Sequence, residues 1–262
     1  MVTQCLLASM NPLEHIASKE IFSVGFFSFT NHMFMVSLAT ILLMVVLPIA
    51  IRSKKLVRSG FGNAIEAMCV YLREEVARPF LKEHTDKYIP FIWSMFFFIL
   101  TLNLLGMVPL DRIFWAITSK ENHFGGTATA NVWVTGALAF MAFMLFHCAG
   151  IYENGFVNYV RHFAPKVPVL ILPFIFFMEV VSSFVRVFSL AIRLFANMLA
   201  GHVLLGTLLA FIIIYKNSMV ATASITFVVL MSLMEIFVAF LQAYIFTFLT
   251  TIFIGFSVHQ DH

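Results

Sequence analysis

The residues most able to do chemistry in this chain lie in a row along a strongly apolar segment. Glu179, Arg186 and Arg193 are spaced seven residues apart. Seven residues of a straight α-helix fall about 20° short of two full turns, so these side chains share one face. Adding the positions three or four residues away completes a polar stripe: Glu179, Ser182, Arg186, Ser189, Arg193, Asn197 and Ala200. An arginine at the centre of a membrane-spanning helix costs roughly 2.5–3.5 kcal/mol on insertion scales, so we expect it to be functional.

A shorter stripe of the same kind follows in the last apolar segment, where Glu235 and Gln242 are again seven residues apart. His202 lies between the two stripes in sequence, and the unperturbed pKa of histidine, about 6.5, suits a proton relay. Ionisable side chains inside membrane segments usually mark ion or proton pathways. The alternative is a network of salt bridges that only holds helices together, since buried charges generally find partners.

The composition indicates that lipid surrounds the helices that carry these stripes. The 262 residues are 61% hydrophobic and 11% charged, whereas soluble domains carry about 25% charged residues. The net charge of +3 is too small to indicate a nucleic-acid partner. The three cysteines lie far apart, without the spacing of a metal site. We therefore expect no nucleic acid, no metal and no cofactor.

Hydropathy predicts an all-α membrane protein with five membrane-crossing helices. Three apolar segments have the length of one span, about 20 residues: Met33–Ile51, Ile89–Val108 and Val132–Ile151. Two later ones, 174–215 and 218–256, would form helices of about 63 and 58 Å, although the hydrocarbon core is only about 30 Å thick. They are expected to be steeply tilted, or kinked at Gly201 and Gly206, and to form a hairpin that turns at Lys216–Asn217.

Residues 63–82 have a different pattern, typical of an amphipathic helix that lies on the membrane surface or packs on a partner. Its apolar face is predicted to contain Ile65, Met68, Leu72, Val76 and Phe80. The expected organisation is thus an N-terminal segment (1–30), a single membrane domain (31–256) and a C-terminal tail (257–262). Within the domain, the surface helix occupies about 60–85 and the tilted hairpin about 168–256.

The distribution of Lys and Arg predicts the orientation. The loops 52–88 and 152–172 hold ten of them, and the N-terminus, the 109–131 loop and Lys216 hold four. Because cytoplasmic or matrix loops carry the excess, the C-terminus is expected inside and the N-terminus outside. From the residues alone, a self-contained ion channel, a secondary transporter and a structural anchor of a respiratory complex stay open as alternatives.

Several segments resemble subunit a of the rotary F-type ATP synthase, in its mitochondrial or alphaproteobacterial type. They are SLAIRLFANMLAGH (189–202), LMEIFVAFLQAYIFTFLT (233–250), NLLGMVP (103–109) and TANVWVTGALAF (129–140). The resemblance runs in order from about residue 30 to 256. It implies a non-catalytic subunit that loads and unloads protons on a rotating ring of c subunits through two half-channels, with catalysis on other subunits. Further implied partners are the peripheral stalk, other membrane subunits and the lipid bilayer.

The resemblance also implies roles for individual residues. Arg193 matches the essential arginine between the half-channels, and Asn197 and Gln242 match polar positions beside it. His202 and Glu235 match the outer half-channel, and Glu179 the inner one. Arg186 and Ser189 join the predicted site as members of the polar stripe. Some relatives have a second histidine four residues after the position of His202, but this chain has Gly206 there, so no metal is expected. The implied location is the mitochondrial inner membrane or an alphaproteobacterial plasma membrane.

Overall fold

The computed structural model describes residues 20–24, 27–51, 60–108, 110, 127–157, 159, 172–215 and 217–258. Two antiparallel strands, β1 (Glu20–Val24) and β2 (Phe27–Thr30), precede the helices, with Phe22 opposite Phe29. This hairpin belongs to the N-terminal segment and is a small addition to the predicted all-α fold.

Seven α-helices follow along the described parts of the chain. They are α1 (Asn31–Ile51), α2 (Phe61–Tyr71), α3 (Arg78–Leu81), α4 (Thr85–Met107), α5 (Val132–Asn154), α6 (Leu172–Tyr215) and α7 (Ser218–Val258). A π-helical stretch (Leu72–Ala77) joins α2 to α3, and short 3-10 turns precede α4 (Lys82–His84) and α5 (Ala128–Ala130).

Within the part of the chain that the structure describes, five helical stretches are long and apolar enough to cross a membrane, which confirms the predicted all-α membrane fold. They are Asn31–Ile49, Phe61–Met107, Val132–Asn154, Pro173–Tyr215 and Ser218–Val258. With 44 and 41 residues, α6 and α7 are about 66 and 62 Å long. The helix α6 continues through Gly201 and Gly206, and both α6 and α7 are longer than the hydrocarbon core of a bilayer is thick.

An asparagine side chain caps the start of both α5 and α7. The Asn217 Oδ1 accepts a hydrogen bond from the Met219 N–H at 3.0 Å, and the Asn131 Oδ1 accepts one from the Trp133 N–H at 2.8 Å. Each bond satisfies one of the N–H groups that a helix start leaves without an intrahelical partner. Asn217 thereby marks the predicted turn between α6 and α7, whereas Lys216 lies outside the described residues.

The chain forms two compact units. The first unit comprises Met1–Leu43, Phe98–Thr135 and Arg193–Ala243, and the second comprises Met44–Phe97, Gly136–Ile192 and Tyr244–His262. In the first unit, α6 and α7 pack through a small buried cluster of Met198, Ala239 and Ala130. In the second unit, the core joins α4, α5 and the end of α7 and includes Leu81, Ile92, Phe146 and Ile254.

The predicted amphipathic helix packs within the second unit. Ile65, Leu72 and Val76 of its apolar face are buried. The Trp93 indole donates a hydrogen bond to the Cys69 carbonyl at 3.0 Å, and the rings of Phe80 and Phe248 meet edge to face. The apolar face of this segment thus packs against other helices of the same unit. Its place on the membrane surface or on a partner stays a prediction.

Candidate functional site

Arg193 lies on α6 and its side chain is exposed. Among the described residues it has no hydrogen-bond or ion-pair partner, even though the helix around it is strongly apolar. An unpaired guanidinium is always charged and presents five N–H donors, which match a carboxylate well. This position therefore suits an anionic group that comes from outside the chain.

Glu235 lies on α7 in the same unit and is only 5% exposed. Neither oxygen of its carboxyl group has a hydrogen-bond partner among the described residues. The group lies against Gly201 of α6: a Cβ atom added at this glycine would be 2.6 Å from the Glu235 Oε1. Because Gly201 has no side chain, the Glu235 carboxyl group can pack against the α6 backbone next to His202.

His202 is half-buried, and its Nε2 atom lies 2.5 Å from the hydroxyl oxygen of Thr127. The same hydroxyl lies 3.4 Å from the carbonyl oxygen of Gly106. Because Thr127 is only 3% exposed, this hydrogen bond is shielded from solvent. The outer-side residues predicted from sequence therefore have a neighbour that no sequence motif indicated.

Other polar atoms of the first unit are buried near this place. The Asn103 amide donates a hydrogen bond to the Ala239 carbonyl at 3.2 Å, one helical turn from Glu235. The Asn103 Oδ1, Thr129 Oγ1 and Asn197 Nδ2 atoms have no partner among the described residues. Gln242 is half-buried, also without a partner there. Because buried polar atoms generally form hydrogen bonds, these atoms remain able to bond to groups beyond the described residues.

The remaining predicted residues belong to the second unit. The Arg186 Nη2 and Glu179 Oε1 atoms are 3.7 Å apart, and both side chains are partly exposed. The Arg186 guanidinium also lies 5.3 Å from the centre of the Phe253 ring, a distance that permits a cation–π contact. Ser189 is exposed. A long, exposed ion pair of this kind contributes little to stability.

His147 joins a second hydrogen-bonded group that the sequence did not reveal. Its Nδ1 lies 2.6 Å from the Tyr159 hydroxyl and its Nε2 lies 3.2 Å from the Ser183 hydroxyl. Burial raises the pKa of the Tyr159 phenol. Gly150 allows the Tyr159 ring to pack closely, since an added Cβ would be 2.8 Å from its Cδ2 atom. Ser183 follows Glu179 by one helical turn, so this group lies next to the Glu179 end of the polar stripe.

Among the described residues, no group of three or more His, Cys, Asp and Glu side chains is arranged to hold a metal ion.

Comparison with known proteins decides the family. The model of the family described as ATP synthase A chain matches residues 33–255. The chain belongs to this family. It is 41% identical to ATP synthase subunit a of Myxococcus xanthus over 244 residues, which cover 90% of this chain and 76% of the relative. It is 35% identical to the subunit a of Chlorobium phaeobacteroides over 266 residues, covering 97% of this chain and 72% of the relative.

The chain is accordingly the proton-translocating stator subunit of an F-type ATP synthase, and catalysis takes place on other subunits. It is a multi-pass membrane protein of that complex. A further relative, from Chloroherpeton thalassium, is 34% identical over 245 residues, which cover 90% of this chain and 68% of the relative. These relatives are bacterial. The comparisons therefore establish the subunit a family, but not the mitochondrial or alphaproteobacterial type.

Proposed function

We propose that this subunit translocates protons through two half-channels kept apart by Arg193. The observation that carries the proposal is the exposed Arg193 side chain, which has no partner among the described residues. A charge of this kind in a membrane helix needs a partner, and a carboxylate on a rotating c subunit would supply one. The proposal treats residues 31–256 as one membrane domain, and it is supported by a family match that covers nearly the same range.

Glu235 and His202 are the proposed proton donors of the outer half-channel. The Glu235 carboxyl group is buried without a hydrogen-bond partner among the described residues, and His202 is the neighbour of Gly201, against which this carboxyl group lies. A proton delivered from here neutralises a ring carboxylate. The neutral site can then turn into lipid, because the large cost of moving a bare charge out of water is removed.

Glu179 is the proposed acceptor of the inner half-channel, with Arg186 and Ser189 beside it on the polar stripe. Glu179 precedes Arg193 by 14 residues, or roughly 21 Å of helix. The loops expected on that side carry the excess of positive charge, which indicates the cytoplasmic or matrix face.

Arg193 separates the two paths, with Asn197 and Gln242 as neutral neighbours. The guanidinium cannot release its proton at physiological pH, so it cannot relay one. Its positive charge attracts an ionised ring carboxylate, favours proton release from that site and repels hydronium. Asn197 and Gln242 offer hydrogen bonds to the guanidinium between successive carboxylates.

Membership of the family implies the rest of the ATP synthase as partners. The c-ring is the partner that the proposed mechanism requires, and we include the peripheral stalk and other membrane subunits on the basis of family membership alone. The mitochondrial or alphaproteobacterial type is supported by the resemblance, because members of that type carry the histidine at the position of His202 and the glutamate at that of Glu235, whereas many other bacterial members carry the two exchanged. The relatives compared above favour a bacterial plasma membrane instead. Fractionation of the source cells, followed by detection of the subunit, distinguishes these locations.

The experiment that tests the proposed outer half-channel is Glu235→Gln in the whole complex, reconstituted into vesicles. Glutamine keeps the shape of the buried side chain and removes the titratable group, so ATP synthesis driven by a proton gradient should fall at least tenfold with normal assembly. Glu83→Gln is the control, because it makes the same chemical change at an exposed glutamate of the second unit. Synthesis at the wild-type rate in the Glu235→Gln complex would remove Glu235 from the pathway.

A further inference from the structure

Thr127 is buried in the first unit and contacts two groups through one hydroxyl. Its Oγ1 atom lies 2.5 Å from the His202 Nε2 and 3.4 Å from the Gly106 carbonyl oxygen. The side chain is 3% exposed, so water does not compete freely for these bonds.

The backbone around Thr127 holds its hydroxyl group between His202 and the Gly106 carbonyl. The Thr127 carbonyl accepts a hydrogen bond from the Ala130 N–H at 3.1 Å, which closes the 3-10 turn before α5. On the other side, Gly106 allows α4 to approach closely, since a Cβ atom added there would be 2.5 Å from the Thr127 Cγ2. The threonine is thus held between its own turn and the end of α4.

A hydroxyl with these two neighbours fits both protonation states of the imidazole. A threonine hydroxyl donates one hydrogen bond and accepts others, whereas a backbone carbonyl only accepts. When His202 is charged, both ring nitrogens are donors, so the Thr127 oxygen accepts from Nε2 and its own proton turns toward the Gly106 carbonyl. When Nε2 is unprotonated, the hydroxyl can turn back and donate to it.

We infer that Thr127 is a positioning residue for His202, whose hydroxyl keeps one hydrogen bond to the imidazole while that ring takes up and releases a proton. The inference rests on the proposed role of His202 in the outer half-channel. Gly106 contributes in two ways. Its carbonyl accepts the hydrogen bond from the Thr127 hydroxyl when Nε2 is protonated, and its missing side chain permits the close contact with Thr127.

The test compares Thr127→Val with Thr127→Ser in the reconstituted complex. Valine has nearly the shape of threonine but no hydroxyl, and serine keeps the hydroxyl with one methyl group fewer. Loss of one hydrogen bond to a charged group corresponds to about a tenfold effect. We expect the valine variant to synthesise ATP about tenfold more slowly, and the serine variant to keep at least half of the wild-type rate.

Thr135→Val is the matched control. Thr135 is equally buried, but among the described residues its hydroxyl contacts only backbone carbonyls at the start of α5, those of Asn131 and Val132. This variant should stay within twofold of the wild type. The inference is overturned if Thr127→Val synthesises ATP as fast as the Thr135→Val control. It is also overturned if Thr127→Ser loses as much of the ATP synthesis rate as Thr127→Val.

Adding Thr127→Val to His202→Ala separates this inference from the proposed function. If Thr127 acts through His202, the valine change lowers the residual rate no further, because neighbours that act as a unit are not additive. An equal tenfold loss in both backgrounds overturns the inference. If the residual rate is below detection, the valine and serine pair decides alone. A His202→Ala complex that works at the wild-type rate contradicts the proposed role of His202 instead.

Discussion

Replacing Gly201 by alanine should separate the function of this subunit from its assembly. The new Cβ would be 2.6 Å from the Glu235 Oε1 and 3.0 Å from its Cδ, whereas ordinary van der Waals contacts begin at 3.4 Å. The carboxyl group must therefore move by about 1 Å, and a displacement of that size at a reacting group can cost about 100-fold in rate.

The cost in stability should be much smaller than the loss of rate. Forcing a methyl group into a packed site costs typically 1–3 kcal/mol, and alanine in a helix is about 1 kcal/mol more favourable than glycine. The net destabilisation is then about 0–2 kcal/mol, which a large complex tolerates.

The assay is ATP synthesis and ATP-driven proton pumping by the purified complex in vesicles, normalised to the amount of subunit a. We expect a 10- to 100-fold loss with normal assembly. Gly136→Ala is the control, since this helical glycine has nothing within 4 Å of an added Cβ. Wild-type turnover in the Gly201→Ala complex would show that the close approach to Glu235 has no functional importance.

Two further variants test the second unit. Glu179→Gln keeps the shape of the side chain and removes the titratable group. Proton release to the inner side, and with it ATP synthesis, should therefore slow at least tenfold. Unchanged turnover across pH would refute the proposed role of Glu179. Gly150→Ala should destabilise the subunit by about 1–2 kcal/mol, because the added methyl displaces the Tyr159 ring and meets Ser257, and this overpacking exceeds the gain of about 1 kcal/mol in helix propensity. Thermal unfolding of the purified complex measures the change, and an unaltered midpoint would contradict the packing.

Hydropathy and periodicity predicted the helices well because both depend on local sequence. The expected second span began at Ile89, but α4 starts at Thr85, since it continues directly from the 3-10 turn that ends the amphipathic segment. The prediction also left open whether that segment lies on a membrane or packs on a partner. Its burial against α4 and α7 depends on residues distant in the sequence, such as Phe248, and no local pattern contains this information.

The ionisable residues of the candidate site could be proposed from sequence because charge is conspicuous in an apolar helix. Their neighbours were not. Thr127 is an ordinary loop threonine until the fold brings it to His202, 75 residues later in the chain. Gly201 was considered only as a kink, whereas its contact with Glu235 concerns close packing in an unbroken helix. Gly106 lies in the NLLGMVP segment, but its carbonyl and its missing Cβ become meaningful only beside Thr127.

Proton flux through the Arg193→Ala complex tests the central claim most directly. Vesicles containing the assembled complex are given a proton gradient, and passive proton movement and ATP synthesis are measured together. With the positive charge gone, we expect ATP synthesis to be abolished and protons to leak through the complex. Arg193→Lys should not restore synthesis, because an ammonium can lose its proton when desolvated and lacks the planar set of donors. An Arg193→Ala complex that makes ATP at nearly the wild-type rate would contradict the account.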